Sequence, residues 1–216
     1  STSELFGGSD DCPQTEETQM VPHSPYAVAK LSSYHMVKVY RHSYGLYACN
    51  GILFNHESPL RGLEFVTRKI TNAVAKIKLG LQKELRLGNI HAKRDWGFAK
   101  EYVECMWMMM QQEKPDDYVI ATGETHSVAE FAQAAFESVG LNWKDYVVTD
   151  EKLQRPMDVH QLLGSPKKAE NTFGWKPNVT FKELVKIMVE ADLHRWKKHL
   201  NGEVVPWDAP NHSSQM

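Results

Sequence analysis

The chain has 216 residues, 42% hydrophobic and 24% charged, with 25 Lys and Arg against 27 Asp and Glu for a net charge of −2. At roughly 100–200 residues per domain this is one or two domains, and the composition excludes a mostly disordered chain or a small disulfide scaffold. The charge balance lacks the positive field of a nucleic-acid binder, and no apolar run reaches the roughly 20 residues of a membrane span.

Taken in chain order, Ser24-Pro25 reads as an N-cap and first helical residue, and predicts a helix from about Pro25 to Ser43, ending near Gly45. Leu46 to Phe54 reads as a buried strand interrupted by Gly51. Phe65 to Leu79 carries apolar residues at helical spacing, and Gly80 can close it. Leu85 to Leu87 is a short strand candidate. Phe98 to Gln112 reads as a helix whose methionines, with Trp107, are expected to pack in the core. Tyr118 to Ala121 and Tyr146 to Val148 read as strands. Ser127-Val128-Ala129-Glu130 and Thr180-Phe181-Lys182-Glu183 are capping boxes, opening helices that run to Gly140 and to about Leu200. Ser165-Pro166 starts a short helix before Gly174, and the tail from Asn201 to Met216 is expected to fray. Helices alternating with short strands predict an α/β fold with mostly parallel pairing.

Tyr26-Ala27-Val28-Ala29-Lys30 is a Tyr-x-x-x-Lys. On a helix its two ends share a face, and a nearby ammonium favours the phenolate, so such a Tyr can take a proton from an alcohol. The same spacing arises by chance in many helices, where it means a packed Tyr beside a solvated Lys. What adds weight is Ser1-Thr2-Ser3-Glu4, about two dozen residues upstream, which supplies a hydroxyl and a carboxylate. The ten His residues include no His-Glu-x-x-His, and His194 and His199 are five apart, so no metal site is expected. Cys12, Cys49 and Cys105 are far apart with no Cys-x-x-Cys; they read as reduced thiols of a cytoplasmic protein.

Together Thr2, Glu4, Tyr26 and Lys30 resemble the extended short-chain dehydrogenase/reductase superfamily. Further stretches resemble its GDP-mannose 4,6-dehydratase family: Ser1 to Gly7, Ser24 to Tyr26, Asn50 to Pro59, Phe65 to Ile70, Leu87 to Asn89, Lys93 to Gly97, Tyr102 to Glu104, Ala121 to Glu124, Arg155-Pro156 and Gly174 to Pro177. Asn55-His56-Glu57-Ser58-Pro59 is the most specific of them, and the resemblance runs from Ser1 to about Leu193. It implies a Rossmann-type dinucleotide-binding fold with a smaller α/β substrate lobe. On that reading residues 1–60 hold the catalytic strand and helix, 61–200 hold mainly the GDP-sugar lobe interleaved with the last core elements, and 201–216 are a tail.

The resemblance also implies roles. Tyr26 is the base at the sugar C4 hydroxyl, Thr2 hydrogen-bonds that oxygen, and Glu4 acts at C5 and C6. Lys30 binds the nicotinamide ribose, and His56 and Arg61 contact NADP. Asn55, Arg68, Lys69, Arg94, Arg155 and Asp158 hold GDP-mannose, with Leu87 and Asn89 near the nucleoside. Family members assemble as homodimers or homotetramers. From the residues alone, His56 reads equally as a packed His, Arg68 and Lys69 as a solvated helix face, and Arg94 beside Asp95 as a local ion pair. Three departures stand out: Leu60 replaces an Arg often found before Arg61, and Asp158 and His160 stand where the family favours Glu and Asp. No Gly-x-x-Gly-x-x-Gly occurs. The expectation is therefore a C-terminal portion, inactive alone and short of a first nucleotide-binding half on the order of 100 residues or more. An epimerase of the superfamily would not need Glu4, and a non-catalytic nucleotide-sugar binding module is the reading from a different class.

Overall fold

The computed structural model describes residues 1–153 and 161–203. Its helices and strands run α1 (Pro25–Tyr44), β1 (Asn50–Leu53), β2 (Asn55–Glu57), α2 (Val66–Lys78), β3 (Leu85–Leu87), β4 (Lys93–Arg94), β5 (Trp96–Phe98), α3 (Ala99–Met109), β6 (Asp117–Ile120), β7 (His126–Ser127), α4 (Val128–Glu137), β8 (Val147–Thr149), α5 (Lys167–Phe173) and α6 (Phe181–Leu200). Short 3-10 turns occupy Ser3–Phe6, Trp143–Asp145 and Glu151–Leu153.

Local chemistry sets the helix ends. The Ser24 hydroxyl accepts the Ala27 N–H at 3.1 Å, and Gly45 closes α1 in the left-handed region at φ +65°. Ser127 with Glu130, and Thr180 with Glu183, form the reciprocal bonds of two capping boxes.

The expected strand from Leu46 is shorter, because its first residues are bonded elsewhere. Arg41 Nε donates to Ala48 O at 2.7 Å, and the Leu46 N–H donates to Tyr40 O at 3.4 Å. The methionine run also departs from expectation. Met109 is buried, but Met106 and Met110 are exposed and Trp107 is 65% exposed. Five consecutive residues span more than a full helical turn and cannot all face one core.

The chain folds as two interleaved units, the first from residues 1–56, 93–125 and 159–179, the second from 57–92, 126–158 and 180–216. The stretch from 61 to 200 thus returns to the first unit twice; the tail from 204 lies outside the described residues.

In the first unit β1 and β6 pair in parallel, with Ile52 opposite Val119, and Thr2 bridges to Leu53 on the other flank of β1. Successive β1 residues feed opposite faces. Ile52 packs with Leu5, Phe6, Tyr34, Phe54 and Val119, while Leu53 packs with Tyr102, Cys105, Met109, Ile120 and Trp175. A sheet buried on both faces is what parallel strands require. The outer edge of β6 is closed by side chains: Val119 N–H donates to Glu16 Oε1 at 2.7 Å, and Lys168 Nζ donates to Asp117 O at 2.9 Å.

The second unit packs α2, α4 and α6 together beside the parallel pair β3–β8, with Leu85 opposite Val147. Trp196 Nε1 donates to Asn72 Oδ1 at 2.7 Å, tying α6 to α2.

Candidate active site

Thr2 is an extended residue at the mouth of the Ser3–Phe6 turn, and its hydroxyl accepts the Glu4 N–H at 3.3 Å. Leu5 and Phe6 of that turn are buried, and Leu31 and Tyr34 of α1 pack into the same cluster. This contact sets α1 beside the turn that carries Thr2 and Glu4. Ala27 faces inward with no exposure, which leaves its neighbour Tyr26 turned outward at 55% exposure. Lys30, one helical turn on, has Nζ 5.7 Å from the Tyr26 ring centroid. The first unit thus brings together the turn holding Thr2 and Glu4 and the helix holding Tyr26 and Lys30.

Asn55 and His56 follow β1 directly. The buried Oδ1 of Asn55 meets no hydrogen-bond donor among the described residues. The His56 ring stacks on Tyr102 at 5.3 Å, with Nδ1 2.9 Å from Phe54 O. Such a ring has a fixed orientation, which a packed His and a ligand-contacting His share. Arg61 lies in the second unit, 3.2 Å from Glu57 Oε2 and with its guanidinium 3.5 Å from the Phe65 ring centroid. Glu57 is buried and accepts from Thr67 Oγ1 at 2.6 Å; burial pushes its carboxyl above the ordinary range.

Arg68, expected to hold GDP-mannose, is 2% exposed, and its donors turn into the second unit. Its Nε lies 2.9 and 3.0 Å from the two oxygens of Asp192, and Nη1 donates to Pro59 O at 2.7 Å and Arg61 O at 2.8 Å. A guanidinium held bidentate by a buried carboxylate is committed to the fold. Its neighbour Lys69 is half-buried; burial lowers its pKa, partly offset by Asp150. Leu87 is buried at the end of β3, and Asn89 Oδ1 accepts the His91 N–H at 3.0 Å. Arg94, half-buried in β4, has Nη1 2.9 Å from Lys93 O. Arg155 and Asp158 lie outside the described residues.

Sequence reasoning took Asp95 only as a neighbour of Arg94. It is fully buried, and its carboxylate turns to Thr122, Gly123 and Gly164. The signal was an acidic residue inside an otherwise buried run, Asp95-Trp96-Gly97.

Among the described residues no group of three His, Cys, Asp or Glu side chains could hold a metal ion, and no helix is long and apolar enough to cross a membrane.

Comparison with known proteins places these features. The family described as GDP-mannose 4,6 dehydratase matches residues 1–188. GDP-mannose 4,6 dehydratase 1 of Arabidopsis thaliana is 57% identical over 197 residues, which cover 91% of this chain and 54% of that protein. GDP-mannose 4,6 dehydratase of Dictyostelium discoideum is 53% identical, with 89% of this chain and 59% of that one covered. The chain therefore spans little more than half the length of these relatives. Among solved structures, RMD from Pseudomonas aeruginosa complexed with NADPH superposes with a TM-score of 0.83 at 22% identity, covering 90% of this chain and 65% of that one. That likeness shows the fold alone, a Rossmann-type α/β arrangement.

Proposed function

The chain belongs to the GDP-mannose 4,6-dehydratase family, and on that premise we propose that it carries the catalytic and GDP-sugar-binding part of an enzyme converting GDP-mannose to GDP-4-keto-6-deoxymannose, a precursor of GDP-fucose. The observation that carries the reading is the packing of Leu31 and Tyr34 against Leu5 and Phe6, which sets the Tyr26–Lys30 helix beside the Thr2–Glu4 turn. A nicotinamide cofactor, NADP on this reading, supplies the hydride acceptor and donor when bound. On this reading Lys30 would meet its ribose, with His56 and Arg61 making further contacts; the stacking of His56 on Tyr102 supports its part.

Tyr26 takes the C4 hydroxyl proton as hydride leaves C4, with Thr2 hydrogen-bonding that oxygen and Lys30 favouring the phenolate. The resulting C4 ketone acidifies C5–H. Glu4 removes that proton and delivers it to the C6 hydroxyl, which leaves as water. With the cofactor bound, the hydride taken from C4 would return to C6 and the proton held by Tyr26 would pass to C5, so the reaction would consume no external reductant. Asn55, Lys69, Leu87, Asn89, Arg94, Arg155 and Asp158 serve the GDP-mannose side, and the buried, unpartnered Oδ1 of Asn55 supports that assignment. Three free thiols, Cys12, Cys49 and Cys105, favour a reducing compartment such as the cytoplasm. The assembly is a homodimer or homotetramer.

The test separates the two acid–base residues in the protein expressed at the length of its relatives. Tyr26→Phe is expected to abolish both hydride transfer and loss of water, a drop of at least about 10²-fold. Glu4→Gln is expected to give reduced cofactor and a stalled 4-keto sugar. Single-turnover absorbance of the reduced nicotinamide, with deuterium exchange at C5, reads both. If Glu4→Gln exchanges the C5 hydrogen as fast as wild type, Glu4 is not the base and the reading fails.

A further inference from the structure

Arg94 is the second residue of a two-residue strand, too short to be rigid by itself. What holds it lies on either side. Lys93 O accepts the Leu162 N–H at 3.3 Å, and Lys93 bridges in parallel to Gln161. Asp95, with no exposed surface, accepts four hydrogen bonds. Thr122 N–H and Oγ1 donate to its Oδ1 at 2.8 and 2.7 Å, and Gly123 N–H and Gly164 N–H donate to its Oδ2 at 3.1 and 3.3 Å. These donors come from two segments distant in sequence, one following β6 and one preceding α5.

Both segments are drawn in tightly. A Cβ on Gly164 would lie 2.4 Å from the Ala121 Cβ and 2.7 Å from the Phe54 ring, so only glycine lets that backbone reach the carboxylate. Gly123 sits at φ +79°, a conformation that favours glycine and turns its N–H toward Asp95. Burying a carboxylate among neutral donors is costly, and burial pushes the Asp95 carboxyl up to about 6 despite those bonds. An asparagine would avoid that cost but would turn an amide N–H₂ toward one of the two sets of donors. Four converging donors at one point ask for a carboxylate.

We propose that Asp95 is a positioning residue: with the Lys93 carbonyl, it locks the backbone on both sides of Arg94 to residues 122–123 and 161–164, so that the Arg94 guanidinium is held ready for the diphosphate of a nucleotide sugar. The proposal rests on the functional reading above, because it takes Arg94 as a GDP contact. It differs from a plain stabilising role in one respect: the effect of Asp95 on ligand binding passes through Arg94.

The test is a double-mutant cycle in the protein at the length of its relatives, with GDP-mannose and NADP⁺ binding measured separately by calorimetry. Asp95→Asn is expected to weaken GDP-mannose binding about five- to ten-fold when Arg94 is present and less than about two-fold in the Arg94→Ala background, the non-additivity of residues that act as one. NADP⁺ affinity is expected to be unchanged. Equal losses in both backgrounds overturn the proposal, as does unchanged GDP-mannose affinity in Arg94→Ala. Amide hydrogen exchange is followed in parallel on wild type and Asp95→Asn. Faster exchange across residues 93–98 and 122–123 at unchanged global stability supports the lock, and unchanged exchange there overturns it. If wild type binds no GDP-mannose, the functional reading fails, and the exchange result alone judges the lock. Should Asp95→Asn not fold, Thr122→Val removes one of the four bonds and keeps the carboxylate. It is expected to show a smaller loss with the same dependence on Arg94, and additivity there overturns the proposal equally.

Discussion

Asp192 is a single anion between two guanidiniums. Its Oδ1 lies 2.9 Å from Arg68 Nη2 and 3.0 Å from Arg195 Nη1, while its Oδ2 accepts from Thr71 Oγ1 at 2.6 Å. Arg195 Nη2 in turn donates to Pro59 O at 2.7 Å, so the knot reaches the loop that carries Arg61. Burial raises the Asp192 pKa against the pull of both cations. Removing the anion leaves two positive charges facing each other out of water. Asp192→Asn is therefore expected to cost about 3–5 kcal/mol of stability, read as a lower urea midpoint at unchanged slope. Little of this knot is legible in the chain. Arg68 and Asp192 are 124 residues apart, and a single sequence shows no sign that the two meet. The helix pattern around Arg68 gives the direction of α2 but does not say that a charged residue joins Ile70 and Val74 on its inner face. Tyr26 and Lys30 are the contrary case: their relation is one helical turn, which spacing alone states.

The helices were the legible elements, because their ends are written in adjacent residues. Ser127 and Glu130 satisfy each other across three positions, with the Glu130 N–H 3.1 Å from Ser127 Oγ and the Ser127 N–H 2.6 Å from Glu130 Oε2. Ser127→Ala removes one half of that exchange at a helix of only ten residues. It is expected to cost about 1 kcal/mol, seen as a fall in Tm of a few degrees by calorimetry. Strands β2, β4, β5 and β7 were not legible. Unlike the equally short β3 and β8, which carry Leu or Val, they consist largely of polar residues or contain glycine, and their conformation is set by long-range neighbours instead. The same holds for Leu46 to Cys49, where backbone groups bonded to Arg41 and Tyr40 override strand-forming residues.

For the molecule as a whole, the chain's contribution to catalysis is one-sided. On the proposed reading Thr2, Glu4, Tyr26 and Lys30 are the groups that move protons, while the 216 residues contain no Gly-x-x-Gly-x-x-Gly turn to cradle a cofactor's phosphates. The 216-residue chain by itself is therefore expected not to dehydrate GDP-mannose. Incubation with GDP-mannose and NADP⁺, followed by mass spectrometry for a loss of water, checks this; clear product would contradict it. The fold class was legible because alternating helices and strands leave few arrangements; the resemblance implied an interleaved second lobe, but which distant segments return to β1 was not written in the residues.

The side-chain bonds at β6 have a consequence for behaviour in concentrated solution. An open strand edge is a template on which another chain can grow a sheet. Along β6 the Val119 amide is occupied by Glu16 and the Asp117 carbonyl by Lys168, an acid and a base facing groups that an incoming strand would need there. A foreign strand must displace both and leave behind a carboxylate that is already short of water. The protein thus carries its own stop against fibre growth on that flank, built from one acid and one base.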